Sequence, residues 1–204
     1  ALGYQSFYSA GAGALDTTAI GYKSHYNAGN ILYSTAIGSN ALLSSTIQTN
    51  FAAAGYQSLA ANTQGFASGF GYNTLSYDSN YGAYSTAIGA SSQNLVKSMA
   101  NTSIGYKTYF AGTYSTALAY GQRNVVIGAN AVSNGDYNNI LEYSVIIGTQ
   151  ALNTSSTSPV YHLVAIGYQS AFNSRPGIGG ASVAIGYQAL YGNSSTNACA
   201  VAVS

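Results

Sequence analysis

Charge is nearly missing from this sequence. Five Lys and Arg and four Asp and Glu make 4% of its 204 residues, where a soluble domain ordinarily carries about 25%. Lys23, Lys97, Lys107, Arg123 and Arg175 are too few and too scattered for a basic stripe, so no nucleic-acid partner is expected. Long apolar runs are missing as well. Gly, Ser, Asn and Thr interrupt every stretch short of the ~18 residues a spanning helix needs, and no membrane insertion is expected in this segment. The single Cys199 excludes an intrachain disulfide framework. Together with His25 and His162 it cannot form a metal cluster within one chain. Tryptophan is absent and proline occurs twice. Net charge near +1 gives little colloidal repulsion. A rigid, permanently associated or anchored particle is expected rather than a free cytosolic monomer.

What is present argues against disorder. Disordered segments lack aromatic and β-branched residues, whereas this chain has 20 Tyr, 6 Phe and regularly placed Ile and Val. Scarce helix formers and abundant Tyr, Thr, Val and Ile point to β structure. The chain shows no signal peptide. It opens inside a repeated word, "ALGYQS", and closes on "AVAVS", so we read it as a stretch of a longer repetitive protein.

The repeat is anchored on a glycine that follows an apolar triplet. It falls at Gly3, Gly21, Gly38, Gly55, Gly71, Gly89, Gly105, Gly128, Gly148, Gly167 and Gly186, with Ser204 in the next place. The residue before it (position −1) is Ile20, Ile37, Ile88, Ile104, Ile127, Ile147, Ile166 or Ile185 in eight coils. Position −2 is mostly Ala, and −3 is Thr or Ser early and Val late. Position +1 is Tyr in seven of eleven coils, +2 is polar, +3 is always small, and +4 is usually apolar. Spacings of 16 to 20 residues, with one of 23, suit one turn of a β-solenoid. The expected fold is all-β: a single parallel β-solenoid over residues 1–204, about twelve coils, roughly 55 Å long at ~4.8 Å per coil. Each coil would pair only with its neighbours, which makes stability nearly one-dimensional. The words between 112 and 127 break the register and predict an irregular coil.

Strand alternation places −3 and −1 on one face and −2 on the other. We expect Ile, Val and Thr to point into the coil. The small residues at −2 and +3 would then form a second face where neighbouring chains come close, making an oligomer around an axis. Glycine would sit at a bend or a close backbone approach. The Gly-, Asn- and Ser-rich words between repeats read as turns and surface loops.

The words "TAIG", "TSIGY" and "SVAIGYQAL" (Ser182 to Leu190) resemble the head repeats of trimeric autotransporter adhesins. They are still more similar to the "TAIGY" repeats of phage and giant-virus tail fibres. The resemblance covers nearly the whole chain. It implies a left-handed β-roll assembled as a homotrimer. It also implies a shaft or adhesin head that projects from a virion or cell surface, outside the cell, and supports host attachment. Coils of 16 to 20 residues and the Tyr after Gly depart from the adhesin heads and favour the tail-fibre branch.

Catalysis is not expected. Asp16, Asp78, Asp136 and Glu142 are scattered, and ladder stacking would separate most of them by more than the ~5 to 9.5 Å of a glycosidase pair. "GAGALD" and "GIGGAS" lack a phosphate-binding G-x-G-x-x-G and a following helix, so no cofactor is expected. His25 occupies the apolar +4 column and reads as structural; His162 reads as solvated. Exposed Tyr among Ser, Asn and Gly is the palette of adaptable recognition surfaces. Tyr77, Tyr81, Tyr84, Tyr137 and Arg175 are therefore the candidates for contact with a cell-surface glycan or protein receptor. A self-assembling extracellular filament or matrix protein without a receptor is the alternative. An ice-binding solenoid is a third reading, suggested by Thr18, Thr35, Thr86 and Thr102 in one column and disfavoured because that column is expected to face inward.

Overall fold

The computed structural model describes residues 1–8, 15–27, 30–44, 47–61, 65–76, 83–94, 98–110, 121–133, 141–153, 160–173, 181–192 and 200–204. These residues contain no helix. Each repeated triplet forms a short strand, and the eleven strands from Thr18–Ile20 to Ala200–Val203 make one sheet in chain order. Every pairing is parallel and in register with the repeat, as in Thr18↔Thr35, Ala19↔Ala36 and Ile20↔Ile37. Leu2 adds a bridge to Ile20. The chain is therefore a parallel β-solenoid. The long spacing after Gly105 adds no rung to this sheet, because Thr102 pairs directly with Val125. Residues 111–120 of the irregular coil lie outside the described residues.

A second wall is built from shorter parallel strands. Ser98–Met99, Gly121–Gln122, Leu141–Glu142 and Val160–Tyr161 make a four-stranded sheet, and Asn30–Leu32 pairs with Ile47–Thr49. Backbone bonding continues around the corner that follows each repeat glycine. The Lys23 amide donates to the Tyr4 carbonyl (3.0 Å) and the Asn40 amide to that of Tyr22 (2.9 Å). The corner needs left-handed backbone at +2 and, in several coils, at +4: φ is 50° at Lys23, 56° at Asn40 and 51° at Leu42. None of these residues is β-branched, which is what that conformation requires.

The triplets alternate as expected, but in the opposite phase. The middle residue is buried and its neighbours face out: Ala19, Ala36, Ala53, Ala87, Val126, Ile146, Ala165 and Ala184 are all 1% exposed or less. Ile20 and Ile37 are 39% and 44% exposed, with Thr18 and Thr35 beside them. The +3 residues are buried too, so small size at −2 and +3 reflects contact inside the coil, not between chains. The two columns meet across its narrow end. Ser58 Oγ donates to the Gly69 carbonyl (2.7 Å) and Ser92 Oγ to that of Ser103 (2.8 Å). Their sizes compensate: glycine at Gly69 goes with Thr74, whereas Val126 and Ile146 go with Ala131 and Ala151. At +4, Leu42, Leu59 and Leu75 fill the remaining core, with no exposed surface.

A polar column is also buried at −4. Asn124 Nδ2 donates to the Leu141 carbonyl (2.6 Å), and its Oδ1 accepts from the Ser144 amide (3.0 Å). Asn101 does the same one coil earlier, bonding the Gly121 carbonyl (3.2 Å) and the Asn124 amide (2.9 Å). These side chains satisfy backbone groups at the bend between the two walls. Leaving a buried backbone group unpaired costs about 1–3 kcal/mol. Asn124→Ala is expected to lower stability by about 2 kcal/mol in urea unfolding followed by circular dichroism. An unchanged midpoint would show that water replaces the amide.

Candidate binding surfaces

Two kinds of surface emerge from this inverted packing. The first is the outer face of the eleven-stranded sheet. Positions −3 and −1 turn outward along its whole length, with Ile20, Ile37, Phe70, Ile88 and Ile185 exposed and Val125, Ile127, Val145, Ile147, Val164 and Ile166 half-buried. Ile104 lies in the same row, half-buried. The ladder pairing sets like side chains one above another, so the face is uncharged, with Thr or Ser beside the −1 residue in most early coils and Val beside it in the late ones. The outward Thr18 and Thr35 also correct the objection raised against ice binding, although the column turns to Val from Val125 onward.

The second surface is a set of aromatic ladders. At +1, Tyr4 stacks on Tyr22 (5.7 Å between centroids), Tyr56 on Tyr72 (5.4 Å) and Tyr168 on Tyr187 (5.6 Å). At +5, Tyr8 stacks on Tyr26 (5.3 Å) and Phe172 on Tyr191 (5.2 Å). At −5, Phe66 stacks on Tyr84 (5.2 Å), and Tyr143 on His162 (5.4 Å). Arg123 lies over the Tyr143 ring and donates to its hydroxyl (2.6 Å). The +5 and −5 ladders escaped the sequence reading, which aligned only the columns next to the glycine. The signal was there: Tyr33, Phe66, Tyr84, Tyr143 and His162 all stand five before their glycine.

Of the residues proposed for recognition, Tyr84 is exposed on the −5 ladder. Tyr77, Tyr81, Tyr137 and Arg175 lie outside the described residues. His162 is exposed at a bend, where its ring stacks on Tyr143. His25 is fully buried, edge-on to Phe7 (5.9 Å). Both of its ring nitrogens lack a hydrogen-bond partner, as does the neighbouring Ser24 hydroxyl. Burial pushes the His25 pKa down from 6.5 to about 4. Among the described residues no group of three His, Cys, Asp or Glu is placed to hold a metal ion.

One depression interrupts the ladders. An open cleft of about 420 Å³ lies between Tyr22 and Tyr26 and is bordered by Asn27, Asn40 and Ser44. The Lys23 ammonium stands in it, 5.3 Å from the Tyr22 ring centroid and 4.9 Å from that of Tyr26. No family model, no curated protein and no solved structure matches the chain.

Proposed function

We propose that this chain is a segment, about twelve coils long, of a non-enzymatic homotrimeric fibre. It would serve as shaft or adhesin head on a virion or cell surface, outside the cell, and support attachment to a host or other surface. The observation that carries this reading is the outward face of the long sheet. An uncharged strip with outward Ile or Val on nine of eleven consecutive strands, and Phe70 on a tenth, would run roughly 50 Å, and monomers rarely leave contiguous apolar patches that large in water. Packing three copies on this strip would cover it and leave the aromatic ladders outside. The repeated words and their resemblance to tail fibres supply the trimer, the left-handed winding and the attachment role.

Light scattering on the chain tests this. A mass of about 63 kDa, three times 20.9 kDa, is expected, independent of concentration over the micromolar range. Ile88→Lys and Ile166→Lys should each place a charge on the strip and release monomers that keep the β signal. A stable wild-type monomer overturns the trimer. Mass that grows without limit with concentration would instead favour the receptor-free filament, in which rolls stack end to end through the exposed strand Ala200–Val203. Thermal hysteresis at micromolar protein would favour the ice-binding reading, which the outward threonines make physically possible.

A further inference from the structure

The two tyrosine ladders stop at the same coil. At +1 the order runs Tyr4, Tyr22, then Ser39, before Tyr56 and Tyr72 resume it; at +5 it runs Tyr8, Tyr26, then Leu43. Tyr22 and Tyr26 each have one ring face covered by the tyrosine of the preceding coil, in stacks within 9° of parallel. In the next coil the +1 place holds Ser39, too short to cover a ring, and the +5 place holds Leu43, while the Lys23 ammonium lies over both tyrosine rings. The result is a step in the aromatic surface, and that step is the open cleft described above.

We propose that this cleft is a binding site for an acidic saccharide, a pyranose ring carrying a carboxylate. A pyranose has an apolar C–H face and a rim of hydroxyls. The apolar face fits against tyrosine rings, and the rim against the amides of Asn27 and Asn40 and the hydroxyl of Ser44, all at the edge of the cleft. The Lys23 ammonium between the rings adds selectivity, because a charge-assisted bond to a carboxylate is roughly twice as strong as a neutral one. Left-handed backbone at Lys23 (φ 50°) fixes where its stem leaves the coil. The volume falls within the ~300–1,000 Å³ of small-ligand sites.

A second lysine of the +2 column also lies over a tyrosine ring. Ala90 interrupts the tyrosine column between Tyr72 and Tyr106, and Lys107 Nζ lies 5.4 Å from the Tyr106 centroid. The word Gly-Tyr-Lys occurs at these two coils alone, but Tyr106 stands between Ala90 and Ala129 and has no tyrosine at +1 in either neighbouring coil, so the paired rings are found at Lys23. The proposal deepens the attachment reading, on which it rests only for the surface that would present the sugar.

The test is calorimetric titration of the whole chain with a uronic-acid oligosaccharide and with a neutral oligosaccharide of the same length. The acidic ligand is expected to bind about tenfold more tightly, with an advantage that shrinks in high salt. Lys23→Gln should remove the preference and leave weak neutral binding. The double variant Ser39→Tyr, Leu43→Tyr should refill both ladders, fold with an equal or higher melting temperature, and lose binding to this cleft. Equal binding of the two sugars, or undiminished binding by the refilled variant, overturns the proposal. Such a failure in a chain that is still trimeric leaves the fibre reading standing. A monomeric chain that binds the acidic sugar would do the reverse.

Discussion

Gly71→Ala is expected to cost roughly 4 kcal/mol, enough to unfold the coils on either side of the substitution. Two effects add. The backbone at Gly71 has φ +133°, a region that side chains reach only with about 1–3 kcal/mol of strain. A Cβ placed there would also lie 2.5 Å from the carbonyl oxygen of Gly89 in the next coil. That atom is backbone, held by the ladder, and cannot move aside; such overpacking costs a further ~1–3 kcal/mol. Because coils stack one on another, the strain separates two halves of a nearly one-dimensional structure. Urea unfolding by circular dichroism, together with limited proteolysis near Gly71, measures it. A loss below about 1 kcal/mol would show that the rungs can separate locally. Gly192, with nothing within 4 Å of a Cβ, is the internal control: Gly192→Ala should lose less than half as much.

Acid is expected to weaken the N-terminal coils through His25. Its folded pKa is pushed down to about 4 by burial, against ~6.5 in the unfolded chain. The unfolded state therefore binds the proton first, and stability rises with pH across this interval. The contribution is fully present above pH 6.5, falls as the pH drops from 6.5 toward 4, and is gone below that. The loss amounts to about 3 kcal/mol, because each pH unit between the two pKa values is worth ~1.4 kcal/mol. Leucine fills the same column at Leu42, Leu59 and Leu75, buried, with the same left-handed backbone. His25→Leu should therefore abolish this slope. It should also stabilise the chain at pH 7, since the imidazole nitrogens have no partners to lose. An unaltered pH profile in His25→Leu would assign the acid loss to other groups.

The core near the middle of the roll explains why that acid loss should stay local. Apolar packing falls into two clusters, one from Ala36 to Ala87 and one from Tyr109 to Ala189. Between them the interior is polar: Ser92, Gln93, Asn101, Ser103 and Thr108 are buried there. Gln93 donates to Ser85 Oγ (3.2 Å), and Ser92 Oγ lies 2.8 Å from Ser103 Oγ. The change coincides with a change in the corner. The +4 residue is left-handed at Leu42, Leu59, Leu75 and Gln93 but not at Val132 or Leu152, whose amides bond to the preceding coil instead of the next; it is left-handed again at Leu190. β-Branched Val132 would resist the left-handed form. The columns changed visibly at this point in the sequence, from Thr to Val at −3, but that change alone carried no statement about the corner.

The repeated columns by themselves determined that the strands are parallel, that equivalent residues stack in register, and that glycine stands at a bend or a close backbone approach. Those follow from periodicity, because a coil that pairs with its own copy must superpose like on like. Position +1 likewise had to form tyrosine ladders, broken where Ser39, Ala90, Ala129 and Thr149 stand in the column. Only the tertiary structure decided which side of each triplet is the inside. Alternation fixes that Ala87 and Ile88 face opposite ways, and it is silent on the phase. Apolar burial taken alone would favour Ile inward, at ~25 cal/mol per Å². The opposing corner decides otherwise: the walls come so close at the glycine that −2 and +3 share one small volume, as Gly69 does with Ser58 and Thr74. Alanine and serine fit that gap, Val126 and Ile146 enter it opposite the small Ala131 and Ala151, and the −1 isoleucines lie on the outer face.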